Sequence, residues 1–275
     1  MPWRRALVRR IAGRATLAAA LLALVLSTGL VPVRPATTAA AGTAETMEGE
    51  LLASINAARI AQGLVPYRMH AGLASVAGDR AAAMAAASTL SHSVAGCLSC
   101  QLASHGIPWF ASGEDIGESG WPWGNQAATS LFDAWKGSPV HWDLMMSANF
   151  NYVGIGVAYN ATTGTTWSSI VMTESIDQTR PWARMAGKSV SGTTAAWSWK
   201  GGDIALQTHT AGLKNFDVQY RVDSDLWKTI RSATTSTSLI LTGRPHGHYY
   251  GVRVRARDRV GNLSSWTSEL RVWVP

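Results

Sequence analysis

The sequence predicts an α+β chain in which helices come first and strands follow, with an all-β sandwich at the end. Three observations predict it. Apolar residues recur at helical spacing in four segments before residue 147. Two long apolar runs after residue 151 are separated by the turn-rich "NATTG". Beyond residue 195 only short alternating segments remain. The composition suits packed cores, with 47% hydrophobic residues, 13 tryptophans and only 15% charged residues, and it excludes a largely disordered chain.

The chain starts with an export pattern. Arg4, Arg5, Arg9, Arg10 and Arg14 precede the apolar "ATLAAALLALVLSTGLV" of residues 15–31, and the small-residue "ATTAAAG" offers a cleavage site near Ala41. Residues 1–41 are therefore expected to be a signal peptide, with a retained membrane anchor as the alternative because the apolar run approaches spanning length. No second segment is long and apolar enough to span, so the mature chain is expected to have no transmembrane segment. It is expected to be secreted, outside the cytoplasm or associated with the cell envelope.

The same arginines, with Arg34, explain the net charge of +7. Six of the 24 basic residues precede the first acidic residue, Glu45, which leaves 18 against 17 acidic ones. A near-neutral remainder carries no global footprint for nucleic acid.

The mature chain opens with a helix whose face carries Leu51, Leu52, Ile55 and Ala58, stopped by Gly63. A second places Leu73, Val76, Ala77 and Met84 together and ends near Ser88. A third carries Ala128, Leu131, Phe132 and Trp135. In "GSPVHWDLMM", Ser138 suits an N-cap and Pro139 the first helical position of a short fourth. "NYVGIGVAY" and "TTWSSIVMTES" read as a hairpin. Residues 45–177 thus form one α+β domain.

Residues 178–194 lose periodicity and gain Gly, Ser, Thr and Pro, which reads as a linker. Residues 195–275 supply the strands "AAWSWK", "FDVQYRV", "WKTIRS", "TSLILTG", "YYGVRVRARD" and "SELRVWV". In the fifth, Val252, Val254 and Ala256 face inward, and Arg253, Arg255 and Arg257 form an outward stripe. That stripe is expected to be a solvated sheet face, with a polyanion site as the alternative.

"LSHSVAGCLSC" holds the chain's two cysteines. In an oxidising compartment, Cys97 and Cys100 are expected to form a local disulfide. A zinc site with His92 and His105, or a pair of reactive thiols, stays open as the alternative.

Several ordered motifs carry a resemblance: "LLASINAARIAQGLVPY", "LSHS", "GEDIGES" and "AWKGSPVHWDLMMSANFNYVGIGV". Together they resemble the bacterial branch of the CAP superfamily, named for cysteine-rich secretory proteins, antigen 5 and pathogenesis-related proteins. The resemblance implies an α-β-α sandwich and a central cleft built on histidines and acidic residues, which in some members holds a divalent ion. By that resemblance His92 of "LSHS", Glu114 of "GED" and His141 of "SPVHW" are the cleft residues. His92 and His141 would be the ligands of a weakly bound metal such as zinc, although no cofactor is required. Val140, Trp142 and Asn149 depart from the family's usual glycine, arginine and histidine. "YYGVRVRARDRVGNLSSW" in turn resembles fibronectin type III modules, with Asp258, Gly261 and Asn262 forming a turn.

These residue types suit a polar cleft. A carboxylate can hold one imidazole nitrogen and aim the other outward. Two imidazoles and a carboxylate can leave an open metal position. His92, Glu114 and His141 are expected to converge. The first function is a secreted binding protein whose cleft takes a small ligand, a divalent ion or a partner segment from an extracellular or cell-surface source. The alternative is an extracellular hydrolase of peptide or cell-wall material, with His92 or His141 as general base and Ser91, Ser93 or water as nucleophile. No G-x-S-x-G, H-E-x-x-H or P-loop pattern supports an easier enzyme reading.

Overall fold

A computed structural model describes residues 43–275; the expected signal peptide, residues 1–41, lies outside the described residues. The first domain runs through α1 (Ala44–Ala61), β1 (Arg68–Met69), α2 (Ala71–Ala87), α3 (Leu98–Ser104), β2 (Ala111–Ser119), α4 (Asn125–Lys136), α5 (Pro139–Met145), β3 (Tyr152–Asn160) and β4 (Thr165–Glu174). Its sheet has the order β1-β3-β4-β2, so β2 is an edge strand.

Helices cover both faces of that sheet. On one side α1, α4 and α5 bury Leu51, Ile55, Leu131, Trp135 and Met145 against Val153, Ile155 and Ile170. On the other, α2 sets Leu73, Val76 and Ala77 against Tyr152 and Val171. "NYVGIGVAY" explains the close fit of α2. Gly154 and Gly156 point at the α2 backbone, and a Cβ at either would overlap the main chain of Leu73 or Ala77. The alanine-rich face of α2 completes the approach. This is the α-β-α arrangement that the motifs implied.

The four expected helices and the β3–β4 hairpin are present. Thr43 Oγ1 caps α1 by accepting from Thr46 N at 3.2 Å, and Gly63, at φ +75°, follows its end. Ser138 stands at the N-cap of α5 and Pro139 at its first position, as expected, but Ser138 makes no side-chain cap.

Two elements differ from the sequence reading. "GEDIG", assigned to no element by its sequence, is the middle of β2, paired with β4 from Ala111↔Glu174 to Ser119↔Thr166. Its glycines answer to packing rather than turning. A Cβ on Gly113 would meet Leu144 and Phe150, and one on Gly117 would meet Leu131 and Trp135. Helix α3 was not foreseen, because seven residues that bury only Leu102 show no usable period.

The second domain is a two-sheet sandwich of β5 (Trp182–Ser191), β6 (Thr194–Gly202), β7 (Leu213–Val222), β8 (Lys228–Thr234), β9 (Ser238–Leu241), β10 (His248–Asp258) and β11 (Leu270–Val274). Its sheets have the orders β5-β6-β9 and β11-β10-β7-β8. Trp197, Trp199, Phe216, Tyr250, Val252 and Val254 fill the core between them. Asp258 Oδ1 accepts from Gly261 N and Asn262 N at 2.7 and 2.8 Å, which closes the expected turn.

The expected linker 178–194 is largely strand. β5 pairs with β6 from Trp182↔Gly202 to Ser191↔Thr194. A register shift between Met185 and Gly187 breaks its alternation, which is why no period-2 signal showed in the sequence. The two domains also interlock. The segment from Asp203 to Gly212, between β6 and β7, buries Leu206 among Leu73, Leu102, Ile107 and Tyr152 of the first domain. Gln207 Oε1 accepts from Val65 N at 2.7 Å, and Asn151 Nδ2 donates to Thr208 O at 3.0 Å. Among the described residues no helix is long and apolar enough to cross a membrane.

Candidate functional site

Glu114 is the centre of a buried polar cluster. Strand alternation turns Gly113, Asp115 and Gly117 toward the α4–α5 layer, and Glu114 toward α2. There Arg80 of α2 grips the carboxylate with two prongs, Nε to Oε1 at 2.5 Å and Nη2 to Oε2 at 2.8 Å. Ser169 of β4 donates to Oε1 at 2.7 Å, and His92 Nδ1 lies 2.8 Å from Oε2.

The side chains of Arg80 and Glu114 are 2% and 4% exposed, whereas that of His92 is 59% exposed. A buried carboxylate and a buried guanidinium thus carry an imidazole that reaches solvent. Arg80 also fixes the loop behind that imidazole. It donates to His92 O at 2.6 Å, Gly96 O at 3.2 Å and Gln101 Oε1 at 2.8 Å.

The electrostatics define the imidazole's chemistry. Burial pushes the Glu114 carboxyl up, but hydrogen bonds from Arg80, His92 and Ser169 outweigh it and hold its pKa below the ordinary value. Glu114 is then ionised near neutrality and can only accept hydrogen bonds. His92 Nδ1 must therefore carry the proton it shares. In the neutral ring Nε2 is left as a lone pair facing outward.

Asp115, one position along, is 1% exposed, and its Oδ2 has no partner. Burial, aided by the Glu114 charge, pushes its pKa up to about 7. It shares the inner layer with Arg59, whose guanidinium stacks 3.6 Å from the Tyr67 ring centre and donates to Met145 O and Ser147 O at 3.0 Å.

His141 makes no hydrogen bond to Glu114. Its helix α5 packs in the layer across the sheet, where Leu144 meets the face of β2 that carries Gly113. Its Nδ1 pairs with Ser138 Oγ at 2.9 Å, within the first turn of its own helix.

The family model for cysteine-rich secretory proteins, CAP, matches residues 52–172. Residues 52–172 are a CAP domain. A search of curated proteins found no match. Among solved structures, the chain is similar to an extracellular protein containing an SCP domain from Bacillus anthracis, at 16% identity and a TM-score of 0.42. That match covers 48% of this chain and 41% of the other, so the chain spans under half of that relative's length. An outer surface protein from Borrelia burgdorferi matches at 14% identity, covering 47% of this chain and 92% of that one, with a TM-score of 0.42. An Fn3-like protein from Clostridium thermocellum matches at 23% identity, covering 35% and 96%, with a TM-score of 0.26.

The CAP domain's polar residues do not fit a shared zinc ion. Both Glu114 oxygens are engaged, and His141 belongs to another layer. Among the described residues, only Asp177, Asp203 and Asp258 bring three ligand atoms within 4.8 Å of one another. The other candidate set, His92, Cys97, Cys100 and His105, fails because Cys97 and Cys100 form the expected disulfide, with Cα atoms 5.2 Å apart. That bridge sits at the start of α3, with Cys97 at the N-cap.

Sequence reasoning missed Arg80 and Ser169. Arg80 did leave a signal: it is the lone cation on the face Val76, Ala77, Ala81 and Met84, where an unpaired charge could not be buried. Ser169 left none, since serine is unremarkable in a buried strand.

Proposed function

We propose that the CAP domain is a binding module of an exported protein, with His92 as its contact residue. The observation that carries this reading is the exposed imidazole fixed on a buried Arg80–Glu114 pair. Such an arrangement spends a buried ion pair on orienting one ring, and leaves Nε2 to accept from an N–H or O–H donor of a partner segment or small ligand. A divalent ion would find Nε2 alone in this cluster and would bind weakly. The arginine-led, apolar N-terminus supports export to an extracellular or cell-surface setting.

The hydrolase reading has less support. Ser91 Oγ and Ser93 Oγ pair with each other at 2.9 Å, and neither is bonded to the His92 ring. A nucleophile activated by that imidazole is therefore not assembled.

The test is an NMR titration of the full chain with short N-acetylated peptides and, separately, with zinc. Peptides should give saturable shifts centred on His92 that vanish in His92→Ala. Zinc should bind in the millimolar range. Identical shifts in His92→Ala, or none at His92 with any probe, would overturn the reading.

A further inference from the structure

The outer face of the second domain holds a feature that the CAP domain's cluster does not use. Arg253, Arg255 and Arg257 alternate along β10, in register with Gln219, Asp217 and Asn215 of β7. Trp266 lies over this stripe, its ring centre 4.9 Å from the Arg253 guanidinium and 4.7 Å from that of Arg255. Asp217 accepts from Arg255 Nε at 3.0 Å and from Ala233 N at 3.1 Å, with Arg257 Nη2 at 3.5 Å. An open hollow of about 540 Å³ lies here, lined in part by Lys214, Asn215, Asp217, Arg255, Arg257 and Trp266.

Three features define what this hollow can hold. Its lining holds three cations, Lys214, Arg255 and Arg257, and a single carboxylate, so a negative group is favoured. Asp217 shows the preferred partner, because the two arginines already take a carboxylate there. Trp266 adds an apolar wall to an otherwise polar site.

We propose that this hollow binds a saccharide bearing carboxylate groups. The cations take its carboxylates, and Asp217 accepts from its hydroxyls. A nucleic-acid backbone fits less well. Its phosphates would meet the Asp217 carboxylate with no donor to offer.

The test is isothermal titration calorimetry on the full chain with three probes: trigalacturonate, neutral maltotriose and a single-stranded oligodeoxynucleotide. Trigalacturonate should bind saturably and weaken with added salt. Its affinity should fall about tenfold in Arg257→Gln, which removes one charge-assisted contact from a partly buried position. Lys214→Gln should act in the same direction, and near-ultraviolet circular dichroism should match the parent chain for both variants. The proposal is overturned if maltotriose binds as well as trigalacturonate, if the oligodeoxynucleotide binds more tightly, or if both well-folded variants keep the parent affinity.

Discussion

Arg80 and Glu114 form a two-pronged ion pair between α2 and β2, and both side chains are almost completely withdrawn from solvent. A pair of this kind is not strongly stabilising as a unit, because desolvation offsets attraction. Breaking one half is costly, because it strands the other charge.

Glu114→Gln should therefore lower stability by about 3–5 kcal/mol in urea unfolding. The double variant Arg80→Met with Glu114→Leu should recover part of that loss. Additive losses in the double variant would mean that the two residues act independently.

Asp115 gives a pH dependence of known sign. Its folded pKa, about 7, lies above the ordinary 3.8. Its stabilising share is thus complete below pH 4 and is lost as pH rises toward 7. Asp115→Asn removes the titration, so its stability relative to the parent chain should rise by roughly 4 kcal/mol between pH 4 and pH 8. A constant difference across that range would show that Asp115 is ionised in the folded chain. Glu114 has the opposite sign: its pKa is lowered, so its contribution is present above pH 4.5 and lost under stronger acid.

Cys97 and Cys100 close a very short loop, so the bridge should stabilise by only about 2 kcal/mol. Intact mass after alkylation without reduction should show neither cysteine modified. Two added alkyl groups would contradict the bridge.

Leu206 belongs by sequence to the second domain and by packing to the first. Leu206→Ala should cost about 2–5 kcal/mol and should lower the unfolding temperature of the CAP domain itself. Calorimetry of the parent chain should give one joint transition. Two transitions, with only the sandwich sensitive to Leu206, would separate the domains.

The helices, the hairpin and the second domain's strands were legible because their apolar periods are long or clean. The inward set Val252, Val254 and Ala256 is buried as its alternation requires, and the arginines between them face outward. β2 was not legible because Gly113 and Gly117 look like turn residues, although they serve tight packing against α4 and α5. β5 was hidden by its bulge. At the site, His92 and Glu114 were legible as a pair and do meet. His141 was placed with them by motif likeness, but α5 packs against the face of the sheet opposite the Glu114 side chain, and the His141 ring pairs with Ser138. The junction joins Leu206 to Leu73 and Leu102, each more than 100 positions away in sequence, and no local pattern encodes such a contact.

The central claim is that Glu114 holds His92 with Nδ1 protonated and Nε2 open. Long-range ¹H–¹⁵N NMR of the His92 ring, at a pH where the ring is neutral, tests it most directly. The account predicts the Nδ1–H tautomer in the parent chain and its loss in Glu114→Gln. A parent ring protonated on Nε2, or one averaging freely between tautomers, would contradict it.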